Sequence, residues 1–389
     1  MYHLYVGRVG GATPPCSDET PRLAFRLNLT ALSEQQVTRL RHSGRFSLPF
    51  PSISCGIVTA SGSSASVLSY RSSGLLKHRL RLIASIMSVR TYLALAKMGA
   101  KWYSAPMQTA CTKEELRALL APVRGKRIVL VPTMGALHEG HATLMRQARV
   151  LAGEEGCVVA SVFLNPVQFD NAGDLAAYPQ TPEEDLATCR SCGVDVVFMP
   201  TPDVMYCGDR SITLEETHLS TVLCGAYRPG HFAGVCLVVN KLFNLVQPTD
   251  AIFGKKDYQQ LAILRRMVRD LDIPITLHGA EIVRGEDGLA LSSRNVRLTP
   301  AHRAAAPTIY RALKAAAAAY AAGASAEAVC QNVRCELEAI EGVRPDYVEL
   351  VDAENLHAVT DEKRMALLAV AAYFGEVRLI DNIELTRNV

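Results

Sequence analysis

The chain has 389 residues, of which 49% are hydrophobic, and this length is ample for a large core and suggests two domains or more. Its charge is uneven, because residues 1–106 carry 13 Lys and Arg against 3 Asp and Glu (net +10), whereas residues 107–389 carry 28 against 35 (net −7). A soluble enzyme with a basic leading segment fits this distribution better than a nucleic-acid-binding protein, and no long uncharged apolar run predicts a membrane span.

The leading segment, residues 1–106, is rich in Ser, Arg, Gly and Pro, and the stretch 61–73 is of low complexity. A helix is conceivable over 76–98, but we expect the segment as a whole to be disordered or loosely helical. Its composition resembles an organellar transit segment, and a stretch added by a mis-assigned upstream start would look the same. Both interpretations stay open, and neither gives the segment a part in catalysis.

From Thr112 onward the pattern changes to alternating helices and strands. Thr112 and Glu115 have the spacing of a capping box, which predicts a helix through Leu120. Strands are then predicted at 127–132, 158–164, 194–199, 251–253 and 275–277, and helices near 140–149 and at 182–192, 233–246 and 258–271. Alternation at this spacing predicts an α/β fold with a doubly wound, Rossmann-like parallel sheet, whose ligands bind at the carboxyl ends of the strands.

The pattern of predicted helices and strands changes again after Arg297. An Ala-rich helix is predicted from 299 to 320 and a second from 325 to 341, followed by strands at 347–351, 365–372 and 377–381. We therefore expect a nucleotide-binding domain over residues 107–290 and a smaller α+β lid domain over residues 291–389.

The eleven cysteines are scattered, and their odd number is typical of reduced thiols in a reducing compartment. Cys189 and Cys192 form one C-x-x-C pair, but a zinc site needs a second pair or added histidines. Structural thiols are the favoured interpretation, with a redox or metal role as the alternative.

One stretch, residues 127–149, has the features of an anion site. A short apolar run that favours a buried strand is followed by Thr133 and Gly135, and a helical pattern begins near Gly140. The first amides of a helix are unpaired and its dipole is positive there, so phosphate groups bind well at such an end. His138 and His141 stand at this helix start and can donate hydrogen bonds to phosphate oxygens.

This stretch resembles the HIGH signature of the nucleotidyl-transferase superfamily, written here as His138-Glu139-Gly140-His141. Six sequence words in order narrow the resemblance: PTMGALHEGH at 132–141, FLNPVQF at 163–169, YPQTPEEDL at 178–186, RPGHFAGV at 228–235, FGKKDYQQ at 253–260 and DGLALSSRN at 287–295. Together they are similar to the pantoate–β-alanine ligase (pantothenate synthetase) family, from about Met107 to the C-terminus.

The resemblance implies an ATP-dependent ligase that condenses pantoate with β-alanine through a pantoyl-adenylate, with release of AMP and pyrophosphate. It also implies Mg²⁺ with the ATP, a cytoplasmic location and a homodimer, and it implies neither a nucleic-acid nor a membrane partner. Two alternatives compete with it: another enzyme of the superfamily, such as a cytidylyltransferase or an aminoacyl-transfer-RNA synthetase, and a non-catalytic nucleotide-binding protein. The acidic body argues against the large RNA surface of a synthetase.

By the same resemblance, the catalytic residues are His141, His138 and Lys256. The expected ATP contacts are Met134, Gly135, Ala136, Leu137, His138, Glu139, Gly140, His141, Gly254, Lys255, Lys256, Asp257, Val283, Leu291, Ser292, Ser293 and Arg294. Lys255 stands where the family usually has Glu, and we expect a backbone contact there and a change in local charge. The sequence 291–294 resembles the second signature of the superfamily, a mobile loop that closes on the triphosphate.

Gln168 and Gln260 are the expected pantoate contacts, and Gln168 is expected to contact β-alanine as well. Neutral amides suit this pocket because a lysine would hold the attacking carboxylate too tightly. Further expectations for the same region are Asn165 and Tyr178 as lining residues, Asp185 as a Mg²⁺ contact through water, and Arg228 and His231 as further substrate contacts.

Overall fold

The computed structural model describes residues 106–360 and 364–387. The predicted extension, residues 1–106, and the helix considered over 76–98 therefore lie outside the described residues, except for residue 106. Described strands are β1 (Gln108–Ala110), β2 (Ile128–Thr133), β3 (Cys157–Val162), β4 (Val196–Phe198), β5 (Asp250–Gly254) and β6 (Thr276–Ala280). In the described part of the chain these six strands form one sheet in the order β1-β4-β3-β2-β5-β6, and every pair is parallel.

Helices alternate with these strands, as the sequence predicts. They are α1 (Lys113–Leu120), α2 (Glu139–Ala152), α3 (Ala172–Ala176), α4 (Pro182–Ser191), α5 (Pro202–Met205), α6 (Leu223–Tyr227), α7 (His231–Val246) and α8 (Tyr258–Asp270). The capping box of α1 is confirmed, because the Thr112 hydroxyl accepts a hydrogen bond from the Glu115 amide at 3.2 Å and Glu115 accepts one from the Thr112 amide at 3.1 Å. Strand β1 was missed, since three residues are too few for a recognisable pattern.

Strand β2 is buried on both faces, which explains its unbroken apolar sequence. Ile128 and Leu130 face one side and pack in the core that contains α7 and α8, whereas Val129 and Val131 face the other side and pack against α2. The sheet is therefore covered by helices on both faces, and the predicted doubly wound α/β architecture is confirmed.

The strand order places a topological switch point between β2 and β5. From β2 the chain continues to β3 and β4 on one side, and it then returns to the other side of β2 to form β5 and β6. The loops that leave β2 and β5 consequently diverge at the carboxyl edge of the sheet and open a crevice, which is where ligands bind in folds of this type.

The C-terminal region contains α9 (Pro300–Ala305), α10 (Thr308–Ala321), α11 (Ala326–Glu338), β7 (Val343–Asp352), β8 (Ala366–Phe374) and β9 (Val377–Leu385). The three strands form a separate antiparallel sheet in the order β7-β8-β9 in this part of the described chain. The prediction of a single helix over 299–320 is wrong, because the structure has two helices separated at Pro307. Proline has no N–H for the helix ladder, so it can begin α10 but cannot continue α9.

The antiparallel sheet uses both of its faces. Leu368 and Val370 of β8 pack with α10 and α11, whereas Leu367 and Ala369 of the same strand belong to the core that contains α7 and α8. This alternation ties the C-terminal sheet to the helices on one side of the parallel sheet.

The described cysteines all have free thiols, and Cys189 and Cys192 are both buried. Burial raises the pKa of the Cys189 thiol to about 12, so this group stays protonated at neutral pH. The geometry agrees with structural thiols rather than with a reactive pair. No helix in residues 106–360 or 364–387 is long and apolar enough to span a membrane.

Candidate active site

One carboxylate, that of Asp185, holds the turn that joins β2 to α2. Gly135 has φ +85° and Ala136 has φ +49°, so two successive residues adopt left-handed backbone conformations. Asp185 of α4 is 2% exposed, and its two oxygens accept hydrogen bonds from the amides of Ala136 at 3.0 Å and Leu137 at 2.7 Å. Thr181 donates a third hydrogen bond at 3.1 Å. Asp185 thus satisfies the turn's amides and holds its unusual shape.

The two histidines of the turn hold one another at the start of α2. The Gly140 amide donates to Nδ1 of His138 at 3.1 Å, and the His138 amide donates to Nδ1 of His141 at 3.3 Å. An amide can only donate, so each Nδ1 is the unprotonated nitrogen and each Nε2 carries the hydrogen. A side chain at Gly140 would place its Cβ 2.8 Å from Cε1 of His138, which explains why glycine stands there.

Both imidazoles are neutral at physiological pH. Burial and then the nearby positive charge of Lys256 lower the pKa of His138 to about 4, and the opposing effect of Asp257 is smaller. The pKa of His141 is also well below its ordinary value, first because of burial and then because of His138 and Lys256. The pair therefore presents two neutral N–H donors whose ring centres lie 4.1 Å apart.

The crevice between the β2 and β5 loops contains a cavity of about 1100 Å³, its open mouth included. Both histidines line it. The other predicted nucleotide-site residues that line it are Met134, Gly140, Gly254, Lys256, Asp257, Val283 and Leu291. The four predicted acid-pocket residues also line it: Asn165, Gln168, Tyr178 and Gln260. Sequence words that are far apart in the chain thus meet around one cavity.

The two lysines that follow β5 have different surroundings. Lys256 lies on the 3₁₀ turn Lys255–Asp257 and lines the cavity, where its ammonium is 3.5 Å from Asp257. The Lys255 side chain instead forms ion pairs with Glu281 at 2.7 Å and Glu384 at 3.0 Å. The positive charge at this position is therefore balanced by two carboxylates.

Gln168 is oriented by its neighbours in the predicted acid pocket. Its side-chain oxygen accepts a hydrogen bond from Asn165 at 2.9 Å, and its Nε2 lies 3.2 Å from the sulfur of Met134. Asn165 is itself held by Tyr206, whose hydroxyl donates to it at 2.7 Å, and by the carbonyl of Gly234. This chain of contacts fixes the amide of Gln168 with its donor end toward the cavity wall that Met134 forms.

Arg228 and His231 hold the backbone of Gln168 rather than lining the cavity formed by the described residues. His231 Nδ1 lies 2.7 Å from the Gln168 carbonyl, which can only accept, so Nδ1 carries the hydrogen. Arg228 donates to His231 Nε2 at 3.3 Å and pairs with Asp170. Burial lowers the pKa of His231 to about 4, and the charge of Arg228 adds to this effect, so the ring stays neutral. The geometry therefore favours a positioning role for both residues over the predicted substrate contacts.

The second signature contributes only its first residue, Leu291, to the cavity lining among the described residues. Ser293 donates a hydrogen bond to the carbonyl of Ala136 at 2.9 Å, and Ser292 caps the 3₁₀ turn Ser293–Arg297. Arg294 is paired with Asp174 of α3 at 2.8 Å. The segment thus packs on the turn after β2 while its guanidinium is held by α3.

The remaining predicted contacts lie beside the cavity. Gly135, Ala136 and Leu137 belong to the turn itself, and Glu139 pairs with Arg146 on the surface of α2. Asp185 is not part of the lining formed by residues 106–360 and 364–387, and both of its oxygens accept hydrogen bonds from the turn. This geometry favours an anchor for the turn over the predicted contact with Mg²⁺ through water. The described residues contain no group of three His, Cys, Asp or Glu side chains placed to bind a metal ion.

Sequence reasoning missed several parts of the cavity wall, among them helix α7 and the end of β3. Helix α7 contributes an apolar patch, formed by Val235, Val238, Val239 and Leu242. Ser161, at the end of β3, is 1% exposed, and its hydroxyl makes no hydrogen bond with the described residues. The available signal was a serine inside an apolar strand, next to a sequence motif. Only the fold, however, shows that this serine lines the cavity.

Comparison with known proteins agrees with this geometry. Residues 108–384 match the family model described as pantoate-beta-alanine ligase. A pantothenate synthetase from Akkermansia muciniphila is 59% identical over 281 residues, which cover 72% of this chain and 100% of the relative.

Two solved structures are also similar. A pantothenate synthetase from Thermus thermophilus is 44% identical with a TM-score of 0.67, and the match covers 72% of this chain and 100% of that one. A pantoate-beta-alanine ligase from Francisella tularensis, described as complexed with beta-gamma ATP and β-alanine, is 29% identical with a TM-score of 0.60 and covers 71% and 97% of the two chains. The family match and these identities show that this chain belongs to the pantoate–β-alanine ligase family.

Proposed function

We propose that this protein condenses pantoate with β-alanine to pantothenate, at the expense of ATP, through a pantoyl-adenylate. The observation that carries the proposal is the meeting of two neutral imidazole donors and Lys256 at the switch point, around a cavity that also contains Gln168 and Gln260. The first group suits a nucleotide triphosphate, and the second suits a small hydroxy-acid. Joining the two in one cavity is what adenylate formation requires.

In the first step a carboxylate oxygen of pantoate attacks the α-phosphorus of ATP, and the bond to pyrophosphate breaks. Negative charge grows on the α-phosphate and on the leaving group, so donors placed there stabilise the transition state. His138 and His141 can donate through Nε2, since each Nδ1 is occupied by an amide. Neutral donors bind the ground state less tightly than cations would, and they strengthen as charge develops. Lys256 supplies the full positive charge.

The acid is held by neutral groups. Gln168 and Gln260 offer amide donors and acceptors for the hydroxyl groups and the carboxylate of pantoate, and they leave the carboxylate nucleophilic. The apolar patch of α7 is suited to the dimethyl group of the same acid. In the second step the neutral amine of β-alanine attacks the acyl carbon, the bond from that carbon to the phosphate oxygen breaks, the nitrogen loses a proton as the amide forms, and AMP leaves.

Mg²⁺ is proposed to enter as the magnesium–ATP complex. The described residues offer no cluster of carboxylates for it, and Mg²⁺ is commonly held by substrate phosphates and water. Bound there, the ion neutralises phosphate charge. Arg294 is held by Asp174 through Nη2, and a guanidinium has further N–H donors that could contact a phosphate.

The division into residues 107–290 and 291–389, the homodimer and the cytoplasmic location are further proposals. Free thiols at the described cysteines support a reducing compartment. Among the described residues the cavity lining runs from Pro132 to Leu291, and we expect residues 107–389 expressed alone to keep full specific activity. Loss of activity in that fragment would assign the leading segment a structural role.

The test of the proposed function is an assay of purified protein with Mg²⁺, ATP, pantoate and β-alanine. We expect AMP, pyrophosphate and pantothenate in equal amounts, and we expect pyrophosphate–ATP exchange with pantoate when β-alanine is omitted. The double variant His138→Ala, His141→Ala is the control for a contaminating ligase. Formation of ADP, or exchange that requires β-alanine, would contradict the adenylate route.

A further inference from the structure

Strand β9 of the C-terminal sheet contacts the catalytic lysine turn through its backbone. Asn382 is 6% exposed, and its side-chain Nδ2 donates hydrogen bonds to two successive carbonyls, those of Lys255 at 3.0 Å and Lys256 at 2.9 Å. Both hydrogens of the amide are therefore used on one turn, 126 and 127 residues away in the chain.

These two carbonyls belong to the peptide units that flank the Cα of Lys256. Fixing both peptide planes fixes φ and ψ of Lys256, and with them the direction in which its side chain leaves the backbone. The turn has no other side-chain cap among the described residues, because Gly254 and Asp257, which precede the 3₁₀ turn and α8, make no such bond. Among the described residues, Asn382 is thus the side chain that hydrogen-bonds the backbone carbonyls of this turn.

The residue next to Asn382 reaches a second loop of the same cavity. Asp381 forms a two-pronged ion pair with Arg284, at 2.6 and 2.9 Å, and it accepts a hydrogen bond from the backbone N–H of Asn382 at 2.8 Å. Arg284 follows Val283, which lines the cavity. Neighbouring residues of one strand therefore hold two of the segments that line the cavity.

We propose that Asn382 is a positioning residue, through which the C-terminal sheet aims Lys256 at the phosphates of the bound nucleotide. The inference rests on the proposed function, since it assigns Lys256 its role in adenylate formation. The proposed role of Asn382 differs from that of a lid. Its contact is with the backbone of the catalytic turn and does not depend on movement of the C-terminal region.

The test uses Asn382→Leu, which keeps the size but removes both donors, with Asn382→Asp as a second variant that places acceptors against the carbonyls. We expect kcat/KM for ATP to fall about 10- to 100-fold, mostly through kcat, because a small misplacement of a catalytic group is costly. Glu384→Gln is the matched control, because Glu384 lies on the same face of β9 and its carboxylate bonds, among the described residues, to the side chains of Lys255 and Tyr258. This control should stay within threefold of wild type.

The decisive readout is a double-mutant cycle with Lys256→Ala. If Asn382 acts through Lys256, its substitution should change kcat by less than threefold once Lys256 is already alanine. If the two substitutions instead lower kcat by factors that multiply in full, the proposal is overturned. Asn382 would then contribute to the stability of the C-terminal sheet. Wild-type activity with pantoate is measured alongside, so failure of the proposed function would be seen there and would not be confused with failure of the cycle.

Discussion

Substitution of Asp185 by asparagine distinguishes an anchor of the nucleotide turn from a ligand of Mg²⁺. One carboxylate oxygen accepts from Leu137 and Thr181, and the other accepts from Ala136. Asparagine keeps one acceptor but turns an N–H toward the amide of Ala136. The change removes one charge-assisted hydrogen bond and leaves a partly buried amide unpaired, which costs about 3 kcal/mol of unfolding free energy.

A loss of about 3 kcal/mol corresponds to a fall in melting temperature of roughly 5 °C, because a protein body of this size has an unfolding entropy of about 0.6 kcal/mol/K. Because the turn also carries His138, we expect kcat/KM for ATP to fall about 10- to 100-fold, since the imidazoles would be misplaced. The Mg²⁺ concentration for half-maximal activity should stay unchanged. The measurements are differential scanning calorimetry and Mg²⁺ titrations of initial rate. Glu184→Gln, an exposed neighbour on the same helix, is the control and should alter neither quantity.

A normal melting temperature combined with a several-fold higher Mg²⁺ requirement would refute this reasoning. It would return Asp185 to the metal role that the sequence suggested.

Three further predictions concern the cavity. His141→Ala should lower kcat by roughly 10²–10³, or about 3–4 kcal/mol, with a smaller effect on ATP affinity, and steady-state rates within threefold of wild type would exclude its role. Gln260→Ala should raise the KM for pantoate far more than that for β-alanine, whereas Gln168→Ala should impair both, and identical kinetic profiles would contradict the assignment. The lowered pKa of His138, about 4 in the fold against 6.5 unfolded, means that the unfolded chain binds more protons between these values. Unfolding free energy should therefore decrease as pH falls from about 6.5 to about 4, and His138→Gln should flatten this dependence in denaturant titrations.

The sequence predicted those parts of the site that are local in the chain. The β2 strand, the turn and the start of α2 lie within residues 127–149, so strand pattern, glycines and histidines could be read together. Strand–helix alternation then placed the words after β3 and β5 at the same edge of the sheet, and the structure confirms that they meet around one cavity.

What the sequence could not predict are contacts between distant segments. Asp185 reaches the turn across 48 residues, and Asn382 reaches Lys256 across 126. Neither has a local pattern that separates it from an ordinary helix aspartate or strand asparagine. Lys255 shows the same limit, since its partners Glu281 and Glu384 become visible only when β6 and β9 are placed beside the turn.

The central claim, that the pantoate carboxylate attacks ATP at the switch-point cavity, is tested most directly by following the oxygen that bridges acid and phosphorus. Pantoate labelled with ¹⁸O in its carboxylate is turned over with ATP and β-alanine, and the AMP is examined by mass spectrometry. The proposed mechanism predicts one ¹⁸O atom in each AMP, because amide formation leaves the bridging oxygen on phosphorus. AMP without ¹⁸O, or label found in pyrophosphate, would contradict it.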